Sequence, residues 1–120
     1  MKLIHKHVLI TATGLRNPPR TPEAVTDWLL RLVQAVDMRM FFGPFAKRCE
    51  QLGNEGVTGM VCIETSHASL HCWDTIPQPF VQIDLYSCQE FDEQVVLNMV
   101  GEFSPIGIDL EVVDRTPWCA

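Results

Sequence analysis

Ile4, Val8, Leu9 and Ile10 are set among polar residues over positions 3 to 11, the pattern of a first β-strand. The loop GLRNPPR follows, where a glycine and paired prolines exclude regular structure. Val25, Trp28, Leu29, Leu32, Val33 and Val36 then recur at helical spacing as one apolar stripe. Thr21 is set to cap that helix, with Pro22 in its first turn and Glu23 complementing its dipole. The segment from MRMFFGPF to Cys49 reads as a second strand broken at Gly43 and Pro44, and QLGNEG as a turn. VTGMVCIE, ASLHCW and FVQIDLYS are rich in β-branched and aromatic residues and predict three more strands, the last two separated by a turn at TIPQP. Helical spacing returns from Phe91 to Phe103 through Val95, Val96, Met99 and Val100, and IGIDLEVVD closes with strand alternation. The order is β-α-β-β-β-β-α-β. It predicts an α+β fold, a two-layer α/β sandwich with two helices on one face of a mostly antiparallel sheet.

With 120 residues, 47% of them hydrophobic, the chain is the size of one domain spanning 1–120 with a substantial core. No stretch approaches the roughly 20 apolar residues that span a bilayer, and MKLIHKHVLI interrupts its apolar residues with lysine and histidine, unlike a secretory signal. A cytoplasmic protein with no membrane partner is expected. The net charge of -6, with only 9 Lys and Arg, disfavours nucleic acid and favours small-molecule or protein partners. The five cysteines are odd in number and scattered, with no C-x-x-C pair, so they are read as reduced thiols.

The stretch ETSHASLHCWD, residues 64 to 74, carries Ser66, His67, Ser69, His71 and Cys72 where a buried strand is due. A metal site is disfavoured, since on a strand His67 and His71 share a face but stand roughly 13 Å apart. No G-x-S-x-G elbow supports a serine hydrolase. Taken singly, each of these polar residues is an ordinary strand residue satisfied by its neighbours.

Taken together, GVTGMVCIETSHASLHCW followed by QIDLYSC resembles the signature of the bacterial and archaeal S-adenosylmethionine decarboxylases, approximately G-V-S-G-x-x-x-I-x-E-S-H-x-S-I-H-T-W and then V-D-x-x-T-C. The similarity is specific from about Gly56 to Cys88 and looser elsewhere, although length and element order also agree. The resemblance implies a lyase of polyamine (spermidine) biosynthesis, made as a zymogen that cuts its own chain at Thr65–Ser66 and converts Ser66 into a pyruvoyl cofactor. It implies processing roles for His71 and Thr58. The pyruvoyl ketone would form a Schiff base with the substrate's α-amine and receive the electrons left by CO₂, with Cys88 as the acid that reprotonates the α-carbon. It also implies a homodimer with the pocket near the subunit interface.

Three positions depart from that pattern. Thr65 stands where the family has glutamate before its serine. Asp74, in a loop two residues longer, stands where the family has a Pro-Glu whose carboxylate holds the ribose hydroxyls. Leu52 falls, without gaps, where an aromatic residue stacks on adenine. Leu52, Trp73 and Asp74 are accordingly the candidate substrate contacts, and catalytic positions match better than binding ones. S-adenosylmethionine is the first expected substrate. A free amino acid such as arginine or ornithine is the alternative, and an unprocessed, non-catalytic binding subunit is a third reading.

Overall fold

The computed structural model describes residues 3–119, and the ends of the expected 1–120 domain lie outside them. The elements are β1 (Lys6–Thr13), α1 (Pro22–Ala35), β2 (Met40–Cys49), β3 (Gly56–Ile63), β4 (Ser66–Trp73), β5 (Phe80–Ser87), α2 (Glu93–Val100), a 3₁₀ turn (Gly101–Phe103) and β6 (Gly107–Asp114). The strands form one sheet in the order β2-β3-β4-β5-β1-β6, with every neighbouring pair antiparallel. This is the expected α+β architecture. No helix among the described residues is long and apolar enough to cross a membrane.

Strand alternation decides which sheet face the helices cover. Three apolar rows run across β1, β5, β4 and β3, namely Val8-Leu85-Ala68-Val61, Ile10-Ile83-Leu70-Gly59 and Ala12-Val81-Cys72-Val57, and all twelve positions are buried. Val25, Trp28, Leu29, Leu32 and Val33 of α1 and Val96 and Val100 of α2 close over them as one core. Gly59 sits beneath Val25 of α1. A Cβ there would lie 2.5 Å from Val25 Cγ1 and 3.0 Å from Ala46 Cβ, so the glycine sets how near α1 approaches β3. Gly56 has φ +159° and a Cβ on it would collide with the Cys72 carbonyl oxygen, which explains the first glycine of the G-V-T-G motif.

Thr21 caps α1 as expected, its hydroxyl accepting from the Ala24 N–H at 3.1 Å, and Trp28 Nε1 donates to the Met99 carbonyl at 3.1 Å to tie the helices together. Boundaries differ from the sequence reading in four places. β1 begins at Lys6 rather than at residue 3 and continues to Thr13. β2 is not broken at Gly43 and Pro44, because the ladder absorbs them as register shifts between Met40 and Phe45. β4 starts at Ser66, two residues before the apolar alternation becomes visible, since its first positions pair with Ile63 and Ser87 on both sides. The last helix occupies only Glu93–Val100, capped by Asp92, and Gly101 tightens the chain into the 3₁₀ turn.

Candidate functional site

Ile63 and Ser66 face each other across a hairpin closed by two residues, Glu64 and Thr65. That tight link leaves Ser66 at φ +154°, a backbone region that L-residues rarely occupy and that costs about 1–3 kcal/mol to hold. The surroundings hold it firmly. The Glu64 N–H donates to the Arg39 carbonyl at 3.0 Å, and the Thr65 carbonyl, which heads the peptide to Ser66, accepts from the Cys88 N–H at 2.9 Å. Ser87 Oγ donates to Thr65 Oγ1 at 3.0 Å, and Thr65 Oγ1 donates to Met38 Sδ at 3.6 Å. A strained peptide therefore has its carbonyl polarised by a fixed N–H, the donor geometry that stabilises an oxyanion if a nucleophile adds to the carbon. Cys88 is half-buried and lies one residue beyond β5, so its backbone touches the Thr65–Ser66 peptide.

His71 and Thr58 face each other on β4 and β3, with Thr58 Oγ1 and His71 Nδ1 3.2 Å apart on the sheet face that the helices leave open. They are not beside Ser66. His71 lies five residue steps along the same strand from Ser66, about 17 Å at strand rise. The candidate substrate contacts share the His71 end. Trp73 stacks on Phe80 with ring centroids 4.7 Å apart and donates from Nε1 to Asn54 Oδ1 at 2.7 Å, in the loop that also carries Leu52. Leu52 is 94% exposed. Asp74 is buried, and its two carboxylate oxygens each accept from Arg48 at 3.0 Å while Arg20 donates to its carbonyl at 2.9 Å. The Arg48 hydrogen bonds hold the Asp74 carboxyl below the usual carboxylate range. Cys72, on the covered face, is pushed up to about 12 by burial and then by the Asp74 charge, which makes it an inert thiol.

The open face near Ser66 also carries a cluster that sequence reading missed. Tyr86 is ringed by His5, His7 and His67 at centroid distances of 6.1, 5.7 and 5.8 Å, with the Arg115 guanidinium 4.5 Å from its ring. His5 Nδ1 lies 2.7 Å from the Tyr86 hydroxyl, and Asp84 bridges His7 Nε2 at 3.1 Å and Ser69 Oγ at 3.3 Å. Strand alternation puts Asp84 and Tyr86 on one face, but their partners come from β4, from β1 and the residue before it, and from beyond β6, and no local pattern announces such distant pairings. Arg48 and Ser87 were missed for the same reason. His67 and His71, the H-x-x-x-H pair, have different partners, Tyr86 and Thr58. No group of three or more His, Cys, Asp or Glu among the described residues is arranged to hold a metal ion.

The sequence profile of the S-adenosylmethionine decarboxylase family matches residues 6–116. Among solved structures, the adenosylmethionine decarboxylase from Aquifex aeolicus VF5 superimposes with a TM-score of 0.79 at 21% identity, covering 98% of this chain and 94% of that one. No curated protein sequence matches the chain.

Proposed function

The chain belongs to the S-adenosylmethionine decarboxylase family, and from that premise we propose that it is a decarboxylase that cuts itself at Thr65–Ser66 to make a pyruvoyl group. The observation that carries this reading is the strained Ser66, at φ +154°, following a carbonyl already held by the Cys88 N–H. Ser66 Oγ adds to the Thr65 carbonyl carbon and the peptide C–N bond breaks, so the acyl group moves from nitrogen to oxygen. Departure from the unfavourable φ favours that step, and the Cys88 N–H steadies the negative oxygen. Loss of the Ser66 α-proton then expels residues 1–65 as a carboxylate. The dehydroalanine left behind tautomerises, and one water hydrolyses it to the ketone with release of ammonia. The ketone supplies an electron sink for an α-amino acid losing CO₂. Cys88, adjacent to the new terminus, is the residue proposed to return a proton to the α-carbon.

His71 and Thr58 are proposed to serve the Ser66 of a second copy. At about 17 Å along its own strand, His71 cannot exchange a proton with Ser66 of the same chain. Both residues lie on the open sheet face, Thr58 exposed and His71 half-buried, so a second sheet packed there would meet them. The Thr58 contact at Nδ1 orients the imidazole and leaves Nε2 to carry the proton. A homodimer with two composite sites, each opening to substrate near Trp73 and Leu52, follows from this arrangement.

S-adenosylmethionine is the proposed substrate. A free amino acid such as arginine or ornithine is the second reading, favoured by two observations: Leu52 offers no aromatic plane, and both Asp74 oxygens are engaged by Arg48 rather than free for ribose hydroxyls. CO₂ release from each compound by cleaved protein decides between them. Turnover of S-adenosylmethionine with none of the amino acids is expected; the opposite pattern establishes the second reading, and no release from any of them removes both.

A further inference from the structure

Asp74 and Ser87 are the buried polar side chains among the described residues, and Ser87 is fully buried. Asp74 has its arginine. Ser87 ends the inward-facing series Val81, Ile83 and Leu85, where an apolar residue would complete the packing. A hydroxyl in that position costs free energy unless it is bonded, and the bond it donates leads to the scissile hairpin. Ser87 Oγ donates to Thr65 Oγ1 at 3.0 Å and accepts from the Gln89 N–H at 3.0 Å. The next residue along, Cys88, donates its N–H to the Thr65 carbonyl at 2.9 Å. Consecutive residues of one strand end thus grip Thr65 at two points, its side chain and its carbonyl.

We propose that Ser87 is a positioning residue for self-cleavage, clamping Thr65 so that the Thr65–Ser66 peptide stays in its strained, carbonyl-bonded geometry. The proposal rests on the self-cleavage reading and deepens it. Two contacts on either side of the Thr65 backbone oppose the rotation that would let Ser66 relax from φ +154°. With Thr65 Oγ1 also donating to Met38 Sδ, both roles of that hydroxyl are committed. Thr65 stands where the family's pattern has glutamate. In this chain a short hydroxyl side chain braced by Ser87 anchors the residue before the serine.

Cleavage is followed by intact mass in freshly made protein, as the fraction of whole chain against time. Ser87→Ala and Thr65→Val are each expected to slow cutting roughly tenfold to a hundredfold, the scale of a small misplacement of reacting atoms. The double variant is expected to be no slower than the slower single one, because the two hydroxyls act as a unit. Ser87→Thr, which keeps the hydroxyl, is expected to rescue the rate. In a Ser66→Ala background that cannot cut, Ser87→Ala is expected to speed hydrogen exchange at the Cys88 amide while leaving Ile83 and Leu85 unchanged. A Ser87→Ala chain that cuts as fast as its parent, or unchanged Cys88 exchange, overturns the clamp. A parent chain that never cuts overturns instead the reading on which the clamp rests.

Discussion

At the residue scale, the chemistry depends on which groups are free and which are already committed. Cys88 contributes a backbone N–H to the peptide before Ser66, and that donor survives any side-chain change. Cys88→Ala is therefore expected to retain chain cutting yet lose roughly a hundredfold or more in decarboxylation, the usual contribution of a positioned acid. Mass analysis and CO₂ release on one sample check both halves, and equal loss of both would contradict the assignment. Asp74 is committed in the other sense. Removing its charge in Asp74→Asn leaves Arg48 with only the exposed Glu50, 3.5 Å away, as a carboxylate partner, and a loss of about 2 kcal/mol is expected in urea unfolding, below the ~3–5 of a fully buried pair because the Arg48 side chain keeps 30% exposure. The sign of the pH effect follows from its depressed carboxyl. The stabilisation is complete above the unfolded value of about 4 and is lost as pH falls through the lower folded value, so wild type should lose more stability than Asp74→Asn below about pH 4.

At the scale of elements, the β3–β4 hairpin is the part that the sequence made most legible. The alternation of VTGMVCIE and ASLHCW predicted both strands, and the motif around Ser66 falls at their link. The strand's true start at Ser66 was hidden because Ser66 and His67 are polar, and only pairing to Ile63 and Ser87 draws them into the ladder. Break signals misled at Gly43 and Pro44, where an edge strand with no partner on its far side tolerates irregular register. The clusters around Tyr86 and Asp74 were illegible for another reason: their members come together only through the order β4-β5-β1-β6 or through long side chains reaching over the sheet end. Gly59 links motif to packing. Gly59→Ala is expected to cost about 1–3 kcal/mol by forcing α1 away from β3, with Tm from thermal unfolding as the measure; an unchanged Tm would show that α1 is not seated against that glycine.

For the whole molecule, one protomer places the candidate residues at opposite ends of β4: Ser66 with Cys88 at one end, His71 and Thr58 at the other. In the proposed function each half is completed by a second copy. Co-expressing Ser66→Ala with His71→Ala chains should restore cutting in the His71→Ala partner, because its Ser66 would meet an intact His71 from the other chain. Failure of that complementation with both variants folded would return the chemistry to a single chain. The helices cover one sheet face, and the polar, imidazole-rich opposite face that carries Thr58 and His71 is the one on which the proposed second copy would pack. The most direct measurement is the intact mass of freshly made wild-type protein under denaturing conditions. The account predicts two fragments, residues 1–65 and a second beginning with a pyruvoyl group at position 66. A single chain of full mass that persists through long incubation would contradict it.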